Sequence, residues 1–377
     1  MLAASILFRD RNVAIKIYLG CRYPQLKVVE VSMGKRKPET STSPDLRVGI
    51  LFNLPAKPPR GESIDYLAEA EVRDQADAVQ DALEKLDLEH QSLPLEKDIE
   101  SLVAALKSYR PDVVINLCEG AFGDSHLEMN VPSLLELLGI AYTGSPPLTL
   151  GLCQDKGLTK DVLKAKGIPV PEYRVLSSFE DWNGGIDYPL FVKPLREDAS
   201  LGISRESFVR DDSELSERVK YVTDRYGQPA LVEKYIDGRE LNVAIVGNRN
   251  LEVLPISEIL FEFPDEPKIV DYSAKWLRET EQYKMTKPVC PAKLESSIRS
   301  RVEKAAVETY RALYCRDYAR VDIRLSGAQP FVLEVNPNPD ISPEAGFVRS
   351  VKAAGILFED FVEQIISFAL ERKTARQ

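Results

Sequence analysis

Two triplets, Arg320-Val321-Asp322 and Glu334-Val335-Asn336, each place polar side chains two residues apart around a valine. Two apart on a strand means the same face. The runs that carry them, 319–325 (ARVDIRL) and 331–336 (FVLEVN), are joined by 326–330 (SGAQP). A glycine-containing joint between two such runs predicts a β-hairpin. A register symmetric about Ala328 sets Asp322 opposite Glu334 and Arg320 opposite Asn336. Facing carboxylates repel, so removing either is expected to leave the unliganded fold as stable, or slightly more stable. Two carboxylates and an amide oxygen also form a hard-oxygen site suited to Mg²⁺, an ion that usually carries substrate phosphates. The plainer alternative is the solvated face of an amphipathic hairpin, because loop geometry sets the register.

Three further places have chemical potential. Lys193 ends the apolar run Phe191-Val192-Lys193-Pro194 and is followed by 196–202 (REDASLG), a small-residue loop of the kind that contacts phosphate. Glu233, Lys234 and Glu240 flank a second turn and suit an adenine amino group and ribose hydroxyls, or are plain surface charges. Lys275 lies in Tyr272–Trp276 (YSAKW), either a loop with a role or an anchored turn. No P-loop and no dinucleotide glycine fingerprint occurs. The only histidines, His90 and His126, have no neighbours at metal-ligand spacing. What remains is chemistry by positioning, Lys/Arg and a divalent cation, which describes phosphoryl transfer.

The elements that must position these groups follow from pattern. The chain has 377 residues, 44% hydrophobic and 29% charged, enough for two or three lobes around sizeable cores. Its net charge of −10 argues against a nucleic-acid surface. Five scattered cysteines without a CxxC pair read as reduced thiols, and no run reaches the length of a membrane span, so the expectation is a soluble cytoplasmic protein. Residues 1–45 read as an N-terminal extension ending in the polar linker Lys35–Pro44. From 46 to 146, apolar strands (46–52, 113–116, 141–142) alternate with helical patterns (66–86, 131–138), predicting a parallel α/β layer. A short helix is expected over 159–166. Beyond Pro189 strands come in pairs: 190–193 with 202–209, and 231–236 with 241–246 across the turn Asp237-Gly238-Arg239. Long helices are expected at 294–313 and 357–370.

In order and spacing these pieces resemble the ATP-grasp superfamily and, within it, the D-alanine–D-alanine ligase-like group. The likeness runs from about Leu46 to Leu370. It rests most on 135–145 (LELLGIAYTGS), Asp155-Lys156, 167–171 (GIPVP), Phe191–Pro194, Glu233–Glu240 and the Arg320/Asp322/Glu334/Asn336 set. The resemblance implies an α/β ATP-grasp fold of three lobes: an N-terminal parallel α/β domain (46–146), a central α+β subdomain (147–231) and a C-terminal α+β subdomain (232–377). It implies an ADP-forming ligase that phosphorylates a carboxylate and passes the acyl group to an amine. Lys156 and Lys193 would contact ATP phosphates, with Ser200 in the adjoining loop. Glu233 and Glu240 would hold adenine and ribose, with the backbone of Lys234 and Ile236 at the base. Lys275 would reach the γ-phosphate from a mobile loop. Asp322, Glu334 and Asn336 would hold two Mg²⁺ ions, with Mn²⁺ an alternative, and Arg320 would stabilise the acyl phosphate. The partners implied are small-molecule acid and amine substrates, with no nucleic acid and no membrane; a homodimer is left open.

The departures from the group concern the substrates. Its Glu–Ser–Tyr triad ties the first-substrate site to the mobile loop. Glu69 matches the Glu, but the Ser position is Ala199, beside Ser200, and the Tyr position is Trp276. On this reading the tie is lost. A His-Gly near the first substrate becomes Glu119-Gly120. After Asn336, a Gly is replaced by Asp340, and the Ser that binds the second substrate's carboxylate is replaced by Ala345. With Glu344 adjacent, this predicts a more acidic pocket that favours an amine over a carboxylate. Two other readings are a genuine D-alanine–D-alanine ligase and an ATP-binding protein without turnover.

Overall fold

The computed structural model describes residues 4–9, 12–17, 45–54, 66–96, 98–262 and 267–376; the side chains of 4–17, 66–71, 375 and 376 lie outside that description. The chain divides into two compact units, Met1–Ser43 and Pro44–Gln377. In the first, β1 (Ala4–Arg9) and β2 (Asn12–Ile17) pair antiparallel. In the second, three sheets follow one another along the chain.

The first sheet is parallel, in the order β4-β3-β5-β6. Its strands are β3 (Arg47–Asn53), β4 (Glu89–Leu95), β5 (Val113–Asn116) and β6 (Ala141–Tyr142), with α1 (Tyr66–Lys85), α2 (Ile99–Tyr109) and α3 (Asn130–Leu137) between them. Continuous apolar runs suit strands covered on both faces, and every residue of β5 is buried. One face packs with α2 and α3. The other packs with α1 and with the last helix of the chain, α11 (Phe358–Arg376), so the C-terminus completes the first layer. Strand β4 escaped the sequence reading because Glu89–Leu95 (EHQSLPL) is polar over most of its length.

Two helices, α4 (Pro147–Gln154) and α5 (Lys156–Ala165), lead to the second sheet. That sheet is antiparallel: β7 (Tyr173–Leu176), β8 (Leu190–Pro194), β9 (Phe208–Val209) and β10 (Ala230–Lys234), in the order β7-β10-β8-β9. It is backed by α6 (Asp212–Tyr226), which Asp211 caps by accepting from the Glu214 amide and which Gly227 ends at φ 63°. The expected hairpin between 231–236 and 241–246 is absent. β10 pairs with β7 and β8, while β11 (Arg239–Val246) belongs to the third sheet. The intervening turn is a crossing between lobes. Gly238 is required there because a Cβ would sit 2.2 Å from the Leu325 carbonyl oxygen. The central sheet takes in β10 whole and so ends at Lys234, past the expected edge at 231.

The third sheet runs β14-β13-β11-β15-β16, with β12 (Glu252–Val253) beside β11. Its other members are β13 (Ser257–Phe261), β14 (Thr286–Val289), β15 (Tyr318–Ser326) and β16 (Gln329–Asn336). Between β13 and β14 lie the short helices α7 (Tyr272–Trp276) and α8 (Glu281–Lys284). The long α9 (Ser296–Ala312) covers one face through Val302, Ala306 and Tyr310. After β16, α10 (Gly346–Ala353) turns back toward the first layer. No helix among the described residues is long and apolar enough to cross a membrane.

Candidate active site

The β15–β16 hairpin places Arg320 opposite Asn336 and Asp322 opposite Glu334, as the sequence predicts, but by a different route. The loop is only Gly327-Ala328, with Gly327 at φ 57°, and Ser326 already pairs with Gln329. That register, carried on unchanged, would bring Leu333 opposite Asp322. A β-bulge at Leu333 absorbs one residue, after which Asp322 meets Glu334. The bulge leaves the Leu333 carbonyl outside the ladder, and Lys160 Nζ donates to it at 2.9 Å.

Lys160 is itself a hub. It is 1% exposed and pairs with Glu233 Oε1 at 2.5 Å. Glu233 Oε2 lies 3.3 Å from Lys193 Nζ, which in turn lies 3.8 Å from Glu334 Oε2. Burial pushes the Glu233 carboxyl up, but Lys160 and Lys193 together outweigh it and hold the group below its ordinary value. Glu334 behaves alike: burial raises it, and Lys193, Lys156, Arg320 and Lys275 bring it below the usual range. Lys160 is missing from the sequence reading because a lysine on a short helix, in Lys156–Ala165 (KGLTKDVLKA), looks solvated. Its spacing of four from Lys156, which puts both on one helix face, was the available signal.

Asp322 is enclosed by donors. Arg320 grips it through Nε at 2.8 Å and Nη2 at 2.9 Å, Asn242 Nδ2 donates at 2.7 Å, and Asn336 Nδ2 at 3.1 Å. Asn242, on the neighbouring β11, could have been found only from the sheet order. Glu240 accepts from Arg324 at 2.8 Å. Burial pushes the Glu240 carboxyl up, with Arg324 opposing. The donor set fits a divalent cation: Asp322, Glu334 and Asn336 offer hard oxygens from adjacent strands, and the Glu334 side chain keeps 30% exposure toward the cleft.

The cleft beside them measures about 960 Å³. It is lined at its metal end by Arg320, Asp322, Glu334 and Asn336, and elsewhere by Lys193, Ser200, Glu233, Lys234, Ile236, Glu240 and Lys275. Two expected residues stand apart. Glu69 falls on α1, and its side chain lies outside the described residues. Lys156 is 3% exposed and turned into the 197–198 loop, donating to the Asp198 carboxylate at 2.8 Å and the Glu197 carbonyl at 2.5 Å. Glu233, expected at the adenine, lines the cleft and is paired there with Lys160 and Lys193.

The small-residue loop and the 270–276 segment are joined directly. Trp276 Nε1 donates to the Ala199 carbonyl at 2.9 Å, and Ser200 Oγ to the Val270 carbonyl at 2.9 Å. Ala199 and Ser200 both hold positive φ, 54° and 63°, so the small-residue loop is kept in the left-handed region while these bonds clasp it to the 270–276 segment. Lys275 Nζ lies 4.8 Å over the Trp276 ring. The Asp340 carboxylate turns back on its own loop, accepting from Ser342 N at 2.7 Å and Ser342 Oγ at 3.0 Å.

The same architecture recurs in known proteins. The family profile described as D-ala D-ala ligase C-terminus matches residues 162–367. An uncharacterized protein, y4sG, of Sinorhizobium fredii is 36% identical over 79% of this chain and 88% of its own length. The D-alanine–D-alanine ligase of Thermotoga maritima is 33% identical over 79% of this chain and 92% of its own. Among solved structures, D-alanine–D-alanine ligase from Bacillus anthracis complexed with ATP superposes with a TM-score of 0.70 at 27% identity, covering 89% of this chain and 100% of that one. With its three sheets, its hairpin of charged residues and its intervening cleft, the chain belongs to the D-alanine–D-alanine ligase-like family of ATP-grasp enzymes, ATP-dependent, ADP-forming C–N ligases.

Proposed function

We propose that the chain joins a carboxylic acid to an amine through an acyl phosphate, with a substrate pocket altered from that of the D-alanine ligases. The observation that carries this reading is the convergence of Lys193, Arg320, Asp322 and Glu334 on one cleft that contains no histidine. A carboxylate is already a nucleophile, so the first step needs alignment and charge neutralisation rather than a base. The acid's oxygen attacks the γ-phosphorus of ATP and ADP leaves. The amine then attacks the acyl carbon, phosphate departs with that oxygen, and the amine releases a proton to solvent. Lys193 and Lys275 meet the phosphates, as does Lys156 once it leaves Asp198. Lys234, Ile236 and Glu240 frame the base and ribose, and Arg320 meets the acyl phosphate. Asp322, Glu334 and Asn336 would hold two Mg²⁺ ions, or Mn²⁺, which when bound neutralise phosphate charge. In this scheme 46–146, 147–234 and 235–377 act as the three lobes.

The pocket is altered at Ala199, Trp276, Asp340 and Ala345. A second reading, formation of D-alanyl-D-alanine itself, is favoured by the name of the Thermotoga maritima relative. ADP release measured over a panel of acids and amines, with products identified by mass spectrometry, separates the two. Release that requires both an acid and an amine supports the ligase. Efficient D-alanyl-D-alanine formation at low concentrations of D-alanine establishes the second reading. ATP binding with no turnover on any pair overturns both.

A further inference from the structure

The bulge in β16 reconciles two demands on one strand. Val332 and Val335 are both buried in the core beneath the third sheet, at 1% and 5% exposure, yet they stand three apart. On a regular strand, residues three apart face opposite ways. The extra residue, Leu333, lets both valines point inward and turns Glu334 to the cleft, opposite Asp322. β16 ends its sheet, so among the described residues no further strand pairs with the bulged edge. One segment, 156–169, reaches it instead. The Val332 amide donates to the Pro169 carbonyl, just past α5, at 2.9 Å, and Lys160, on α5, donates to the Leu333 carbonyl at 2.9 Å. The two bonds bracket the bulge, and the second satisfies a carbonyl that the ladder leaves out.

Lys160 has a second attachment. Its ammonium pairs with Glu233 on β10 at 2.5 Å, Glu233 reaches Lys193 on β8 at 3.3 Å, and Lys193 returns to Glu334, the residue after the bulge, at 3.8 Å. With the bond to Leu333 these contacts close a ring that joins the second sheet to the third. Burial and the charge of Lys193 both oppose the Lys160 ammonium, and Glu233 offsets only part of this. Lys160 is not among the residues that line the cleft. We propose that Lys160 is a positioning residue for the metal centre: through the Leu333 carbonyl and Glu233 it fixes Glu334 with respect to Asp322 and Lys193. This rests on the reading of Asp322, Glu334 and Asn336 as metal ligands.

The test is the metal affinity of Lys160→Met, a side chain of similar length without the charge. Mn²⁺ is titrated into the full chain loaded with a non-hydrolysable ATP analogue, and free Mn²⁺ is read by electron paramagnetic resonance against the analogue alone. Mn²⁺ affinity should fall about tenfold, the lower end of the range for groups that orient metal ligands. Affinity for the analogue without divalent metal should change much less, a split that general loosening of the fold would not give. Lys160→Arg, which keeps the charge, should recover part of the loss. Should Lys160→Met not fold, Lys160→Met/Glu233→Gln, which removes both charges of the pair, is compared with Glu233→Gln, and the same difference in Mn²⁺ affinity is expected. Mn²⁺ affinity equal to wild type in Lys160→Met, or equal in the two Glu233→Gln proteins, overturns the assignment. So does an equal loss of metal and nucleotide affinity, which marks a merely structural lysine. A wild-type complex that takes up no Mn²⁺ beyond the analogue's own share refutes the metal reading itself, and this proposal with it.

Discussion

The Arg320 guanidinium holds both carboxylate oxygens of Asp322, two residues along the same strand. This changes the consequence of removing a carboxylate from the hairpin. Asp322 is 6% exposed and enclosed by three donor residues, so Asp322→Asn leaves Arg320 buried without its partner. Breaking a buried pair on one side costs about 3–5 kcal/mol. Glu334, with one lysine at 3.8 Å and 30% exposure, is far less committed. We expect both Asp322→Asn and Glu334→Gln to abolish phosphoryl transfer, but only the first to lower Tm substantially without ligand. Denaturation scans with and without ATP and Mg²⁺ check this, since a ligand stabilises only a protein that binds it. Near-normal turnover in either variant would remove it from the metal site.

Glu233 is predicted to matter for the fold and for acid tolerance. Its carboxyl is raised by burial and lowered further by Lys160 and Lys193, with a net value below the ordinary 4.5. A depressed folded-state value means that its contribution is complete above the unfolded value and is lost as pH falls through the folded one. Glu233→Gln should therefore destabilise the protein at pH 7 by about 3–5 kcal/mol, leaving two buried lysines unmatched. It should also flatten the loss of stability as pH falls below about 4.5, where the wild-type carboxylate begins to lose its contribution. Urea unfolding at several pH values measures both effects. A variant as stable as wild type at pH 7 would mean that the lysines find other partners.

Trp276 is expected to act on the rate. Its bond to the Ala199 carbonyl joins α7 to the strained loop. Trp276→Phe removes the donor, and at about 1 kcal/mol the rate of acyl-phosphate formation should fall roughly fivefold. Lys275→Ala should also slow that step more than it weakens nucleotide binding. Single-turnover kinetics alongside equilibrium ATP titration separates the two quantities. If ATP affinity collapsed while the rate held, the segment would be a static wall of the nucleotide site.

Ala345→Ser offers a gain. Ala345 is the N-cap residue of α10, which has no side-chain cap bond. A serine there should stabilise the fold by about 0.5–2 kcal/mol. Its hydroxyl would also add a donor to the cleft wall that Ala345 lines. Higher Tm together with lower KM for D-alanine is the expected outcome. Higher Tm with KM unchanged would place the amine substrate elsewhere in the cleft.

Much of this protein was legible in its sequence because the information is local. A buried parallel strand such as Val113–Asn116 is apolar throughout, and 296–312 carries a helical period, so element type followed from pattern. Arg320, Asp322, Glu334 and Asn336 were recognisable because alternation on a strand fixes the face without any knowledge of neighbours. What depended on packing was not legible. Whether 231–236 and 241–246 pair with each other or part into two sheets is decided by which other strands compete for their edges. The register at Asp322 required a bulge at Leu333, held by a lysine more than 150 residues away in sequence. Charge balance was equally hidden. Lys160 looks like a solvated side chain until the fold brings it to Glu233, because burial and distance, not residue type, determine the free energy of a charge.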